Sequence, residues 1–241
     1  MKSQQRHQLK QNDFAATVGR LTTTVRDQRD RVMLMAIVVI AVLGAGLGYY
    51  FWSKHSSERA GADFAAAMSV AESQIAPAPT VPGAKQAAGT FSTAKARQEA
   101  ALQAFQQVAT AHRSTPDGLA ASYQAASILF ALGRLPEAEK AYQDVVARAG
   151  ASSIYGPTAR MGLAETLTSE GQYDRAIKEY ADLAAQRDGL LPVDGVLVQL
   201  ARAYLKAGKT NEARATFKRV VDEFPSSAFV GEARTQMALL G

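Results

Sequence analysis

The residue types able to carry chemistry are few and scattered along the chain. His7, His55 and His112 are the three histidines, and a zinc-like site would need them to converge. His7 precedes a long apolar run and the other two follow it, so a run that crosses a bilayer would leave no three-histidine site available. His112 reads most simply as a helix-end residue. Ser92-Thr93-Ala94-Lys95 has the S-x-x-K spacing with which a lysine can activate a serine, but the partner motifs of that acyl-transfer chemistry are missing and the match reads as chance. Glu137 and Glu139 fall on a helix surface, where solvated charge is the ordinary role of paired carboxylates. There is no G-x-x-x-x-G-K-[ST], no H-E-x-x-H and no G-x-S-x-G. The expectation is a protein that is not an enzyme and uses no metal and no cofactor.

With no chemistry to position, charge and hydropathy patterning become the informative features. The 241 residues carry a net charge of +5 and no cysteine, so neither disulfides nor thiolate sites enter. Residues 1–31 hold seven Lys/Arg against three Asp, a net +4, while the remainder has 20 basic and 19 acidic residues. The basicity therefore belongs to a tail. The nearly neutral remainder argues against a nucleic-acid surface.

Residues 1–31 form a basic tail, which the pattern predicts to be cytoplasmic. In it, Phe14, Val18 and Leu21 recur at helical spacing, and two readings stand: an amphipathic helix on the membrane surface, or a disordered tail. Residues 32–52 are 21 residues without a charge, ending in Tyr49-Tyr50-Phe51-Trp52. At about 1.5 Å per residue they span the ~30 Å hydrocarbon core, and the aromatic belt argues for an uncleaved anchor over a signal peptide. Seven Lys/Arg precede the span and only Lys54 and Arg59 closely follow it, which predicts a cytoplasmic N-terminus and exported downstream chain. Gly44 and Gly48 have the spacing of close-packed membrane helices; transmembrane pairing into a homo-oligomer stands beside ordinary lipid-facing packing.

Beyond the membrane the pattern is helical and repeats. Residues 119–152, 157–190 and 194–227 each read as two helices, with Gly133, Gly171 and Gly208 at the turns, 38 and 37 residues apart. Small Ala126, Ala164 and Ala201 on the first helices and Ala138, Ala176 and Ala213 on the second fall where helices must touch closely. Tyr142, Tyr180 and Phe217 share one frame position beside them. This is similar to the tetratricopeptide-repeat pattern. The fold class expected is all-α: one N-terminal transmembrane helix, then a tetratricopeptide-like α-solenoid, closed by a capping helix at 228–241 where Val230, Ala233, Met237 and Leu240 make one stripe. Residues 58–113 read as a degenerate first repeat, its helices parted by a Pro-rich loop at 75–91 whose order is left open.

Taken whole, the layout of basic tail, span ending in an aromatic cluster and exported repeats resembles the ancillary SecYEG translocon subunit family of the bacterial inner membrane. The segment 221–228, Val-Asp-Glu-Phe-Pro-Ser-Ser-Ala, is also similar to repeat ends in outer-membrane assembly lipoproteins and cell-division coordinators. The resemblance implies a periplasmic protein-binding module that receives or hands on secretory polypeptides with the SecYEG translocon and periplasmic chaperones. The alternative is a structural scaffold for an envelope or cell-division complex. It further implies a concave groove lined by Tyr123, Ser127 and Phe130, then Met161, Glu165 and Thr168, then Val198, Arg202 and Lys206. A second reading of those side chains stands: packing against residues 58–74 or the loop that follows.

Overall fold

The computed structural model describes residues 29–77, 86–150, 152–186 and 189–241. The tail at 1–28 and the centre of the Pro-rich loop at 78–85 lie outside the described residues, and with them both readings of the tail and the loop's order. The chain divides into two compact units, residues 1–55 and 56–241.

The described part of the first unit is helical throughout and belongs to α1 (Arg29–Ala71). Its apolar residues from Met33 to Trp52 are exposed, Ile40 by 69% and Trp52 by 65%, so nothing among the described residues of the unit covers them. The helix is long and apolar enough to span a membrane. No proline interrupts residues 53–71, and α1 runs without a break through the charged stretch.

The second unit begins with residues 56–71 of α1 and continues through α2 (Ala94–Ala111), α3 (Pro116–Ala131), α4 (Leu135–Arg148), α5 (Tyr155–Ser169), α6 (Tyr173–Ala184), α7 (Val193–Lys206), α8 (Thr210–Glu223) and α9 (Val230–Leu239). From α2 onward each helix packs on the next, and α5 additionally touches α3 and α7. That second contact pattern aligns α3, α5 and α7 as one layer and α4, α6 and α8 as the other, the arrangement of an α-solenoid.

The turns inside the pairs follow from the glycines. Gly133, Gly171 and Gly208 sit at φ +73°, +77° and +72°, a conformation a Cβ resists. There the chain closes a Schellman motif: Arg134 N–H donates to Leu129 O (2.9 Å), Gln172 N–H to Leu167 O (2.8 Å) and Lys209 N–H to Tyr204 O (2.9 Å). The close-contact alanines Ala126, Ala138, Ala164, Ala176, Ala201 and Ala213 are all fully buried. Tyr142, Tyr180 and Phe217 fill the space beside them, each 4% exposed or less.

At the start of the unit, Phe64 of α1 packs its ring against Phe105 of α2 with centroids 5.7 Å apart. Arg97 Nη1 donates to Ser73 O (3.2 Å) and His112 Nε2 meets Asp63 Oδ2 (2.7 Å). Between these helices the chain forms a parallel strand pair, β1 (Gln74–Ile75) with β2 (Thr90–Phe91). Gln86 Nε2 braces it by donating to Ala76 O and Thr90 Oγ1. The helical periodicity carried no sign of this pair, because it is a contact across a loop. Thr115 caps α3, its hydroxyl accepting from Gly118 N–H (3.1 Å) and donating to His112 O (2.9 Å), which locks the α2–α3 corner.

Candidate functional site

The layer of first helices, α3, α5 and α7, presents an inner face whose centre is aromatic. Tyr123 of α3 lies 5.6 Å from the ring of Tyr155 at the start of α5 and 6.1 Å from that of Tyr142 on α4. Tyr142 owes its position to a missing side chain: a Cβ at Gly162 of α5 would collide with the ring at Cζ, so the ring rests on bare backbone. Ser127, one turn beyond Tyr123, is half-buried and lies beside the Tyr142 phenol. Thr168 likewise lies beside Tyr180, and its hydroxyl donates to Ala164 O (2.8 Å). Phe130 and Met161 are half-buried and pack on the core. Tyr123 finds its ring partners on α4 and α5, not on residues 58–74.

Glu165 is exposed on α5, one turn past Met161, and among the described residues its carboxylate has no hydrogen-bond or ion-pair partner. Its charge is felt by the phenols around it. Burial pushes the Tyr142 phenol up to about 12, with Tyr123 and Glu165 adding to the shift and the Ser127 hydroxyl opposing it. Burial likewise raises Tyr180, with Glu165 adding and Thr168 and Arg202 opposing, and it raises Tyr123, to which Tyr155 and Glu165 contribute. All three phenols stay neutral at physiological pH.

The α7 portion of the face differs from the frame-based expectation. Val198 is 1% exposed and belongs to the core, so it offers no floor to a ligand. Asp194, Val198 and Arg202 stand one turn apart on the same side of α7. Asp194 Oδ2 accepts from Ser227 Oγ (2.6 Å), and Arg202 grips Glu232 with contacts of 2.6 to 2.9 Å. Lys206, one turn on, is exposed and has no ion pair among the described residues. The structure thus brings Tyr123, Ser127 and Met161 into one neighbourhood with Glu165, Thr168 lying beside Tyr180. It buries Val198 in the core and ties up Arg202.

Tyr142, Tyr155, Tyr180 and Glu232 belong to this face and were not among the expected residues. Tyr155 lay two residues ahead of the 157–190 frame, and its ring contact with Tyr123 is the signal that a longer first helix would have supplied. The other polar features are structural. Arg175 to Glu139 (2.7 Å) and Lys209 to Asp174 (2.6 Å) link successive second helices. Gly208-Lys209-Thr210, which ends like a phosphate-binding loop, is a helix-to-helix turn with its lysine committed to Asp174. Among the described residues no group of three or more His, Asp or Glu gathers as metal ligands.

Residues 28–240 match a family model described as a tetratricopeptide repeat-like domain. No curated protein matches the chain. Among solved structures, the chain is similar to a putative kinesin light chain of Podosopora anserina with nearly identical TPR-like repeats, at TM-score 0.53 and 20% identity over 60% of this chain and 78% of that one. A single-substitution variant of that protein gives TM-score 0.56 and 18% identity over 77% and 86%. A tetratricopeptide repeat protein from Parabacteroides merdae gives 0.50 and 18% over 61% and 53%. At such identities the likeness concerns the fold alone.

Proposed function

We infer that this chain, which belongs to the tetratricopeptide repeat-like domain family, is a membrane-tethered protein-binding module that takes a polypeptide segment on its inner helix face. The observation that carries this is the half-buried patch of Tyr123, Tyr155 and Met161 beside an unpaired Glu165: apolar surface already ordered by packing, with one charge at its edge. The docking residues are then Tyr123, Ser127, Phe130, Met161, Glu165 and Thr168, with Arg202 and Lys206 at the far side. Val198 is left out because it is buried. The working division is a tail at 1–31, a span at 32–52, a first divergent repeat at 58–113, repeats at 119–152, 157–190 and 194–227, and a cap at 228–241.

The placement we favour is the bacterial inner membrane with a cytoplasmic N-terminus and periplasmic repeats, supported by seven Lys/Arg ahead of the apolar run. The role we favour is assistance to the SecYEG translocon, receiving secretory polypeptides or passing them to periplasmic chaperones. A photo-crosslinker at Tyr123 or Phe130 in intact membranes should capture translocon subunits or exported chains. Capture of neither removes this role.

A scaffold for an envelope or cell-division complex is the second reading, favoured by one feature. A Cβ at Gly44 or Gly48 meets nothing within 4 Å, so that side of α1 is free to receive another helix. Replacing both glycines with Leu should abolish self-association without disturbing the monomer. An unchanged oligomeric state removes this version.

A further inference from the structure

We propose that the inner face recognises a cation: the docked segment presents an Arg or Lys side chain to Glu165, on the side where the half-buried Tyr123 ring lies. The inference rests on the reading of the inner face as the docking surface and adds the chemistry of the occupant.

Three observations meet at this point. The Glu165 carboxylate is exposed and has no partner among the described residues, whereas Glu139, Glu179, Glu223 and Glu232 each hold an arginine. The guanidinium 37 residues further on, Arg202, occupies the same frame position on α7 and would be the natural intramolecular partner. It is instead held by both oxygens of Glu232 on the cap. The half-buried Tyr123 ring is held by Tyr155 at 5.6 Å and by the buried Tyr142 at 6.1 Å, and its open side presents electron-rich surface to a cation. The same carboxylate helps hold the protons on Tyr123, Tyr142 and Tyr180, which places its field over the whole cluster.

A carboxylate beside aromatic rings discriminates by sign. A guanidinium or ammonium gains a charge-assisted hydrogen bond and a ring contact, while an anion meets repulsion. Apolar residues on either side of the cation would lie along Met161 and Phe130. The preferred segment is therefore apolar with one basic residue, the reverse of a repeat groove built to hold a C-terminal carboxylate.

The test uses the full chain in detergent micelles and three short Leu/Ala peptides with a central Arg, Gln or Glu, followed by fluorescence anisotropy. The Arg peptide should bind about five- to thirtyfold tighter than the Gln peptide, and the Glu peptide weakest. Glu165→Gln should erase the Arg preference, bringing Arg-peptide and Gln-peptide affinities together, while leaving helicity unchanged, since the side chain it alters is exposed. Glu165→Lys should shift preference to the Glu peptide. Equal binding of Arg and Gln peptides, or an Arg preference that survives Glu165→Gln, overturns the cation site and leaves the docking face standing. Failure of all three peptides to bind overturns both.

Discussion

Gly118→Ala should destabilise the repeat unit, although alanine is normally the better helix former. Gly118 is buried in the first turn of α3, and a Cβ there would collide with the carbonyl group of His112 at the end of α2. The obstacle is backbone, so no rotamer change relieves it. Helix propensity alone would favour the substitution by about 0.5–1 kcal/mol. Overpacking costs roughly 1–3 kcal/mol, and moving the turn also strains the Thr115 cap, whose Oγ1 accepts from Gly118 N–H at 3.1 Å and is worth about 1 kcal/mol. The collision wins, leaving a net loss of about 1–3 kcal/mol. At the usual slope for a chain of this size, 2 kcal/mol lowers Tm by about 4–8 °C. Gly231→Ala is the matched control: it is exposed on α9 and its added Cβ meets nothing within 4 Å, so it should gain about 0.5–1 kcal/mol. Thermal unfolding of the full chain in detergent, followed by far-ultraviolet circular dichroism, reads both. A Gly118→Ala chain as stable as the parent would refute the claim that the α2–α3 corner is closed by direct backbone contact.

Further outcomes follow from the same packing. Phe217→Ala, removing a fully buried ring between α7 and α8, should cost about 3–5 kcal/mol in the same melt. Tyr142 keeps its proton to about 12 in the fold, while an unfolded phenol loses it near 10, so this contribution to stability is intact below about pH 10 and is lost as pH rises from there toward 12. Phenolate absorbance of Tyr142→Phe against the parent should show the missing phenol in the late phase; a loss in the early phase contradicts the burial. Val198→Asp should be destabilising by several kcal/mol, since it buries an unpaired charge in the core, whereas the exposed pair partner Arg202→Ala should cost about 1 kcal/mol or less. With no native cysteine in the chain, Lys140→Cys in spheroplasts should react with an impermeant maleimide and Lys10→Cys should not; the opposite pattern inverts the proposed topology.

What was readable in the sequence was whatever local physics repeats. Gly133, Gly171 and Gly208 could be placed because a left-handed turn selects glycine, and their spacing then set the frame for the buried alanines. The residues that escaped are those whose environment is made by distant chain. Val198 has the frame position of a groove residue yet is buried in the core, between Asp194 and Arg202, whose partners Ser227 and Glu232 come from beyond α8. Gly118 and Gly162 look like ordinary helical glycines until His112 O and the Tyr142 ring are seen above them. The strand pair at Gln74 and Thr90 has two residues per strand, too few to leave an alternating pattern.

That small ladder decouples length from architecture. Because Gln74 pairs with Thr90 and Ile75 with Phe91, the chain leaves and re-enters the unit at one spot. Whatever is threaded between those ends is fastened like a charm on a bracelet clasp. Doubling an insert there adds only about 0.6 kcal/mol of closure entropy, so a reporter domain spliced into this span should ride on the protein with its repeats undisturbed.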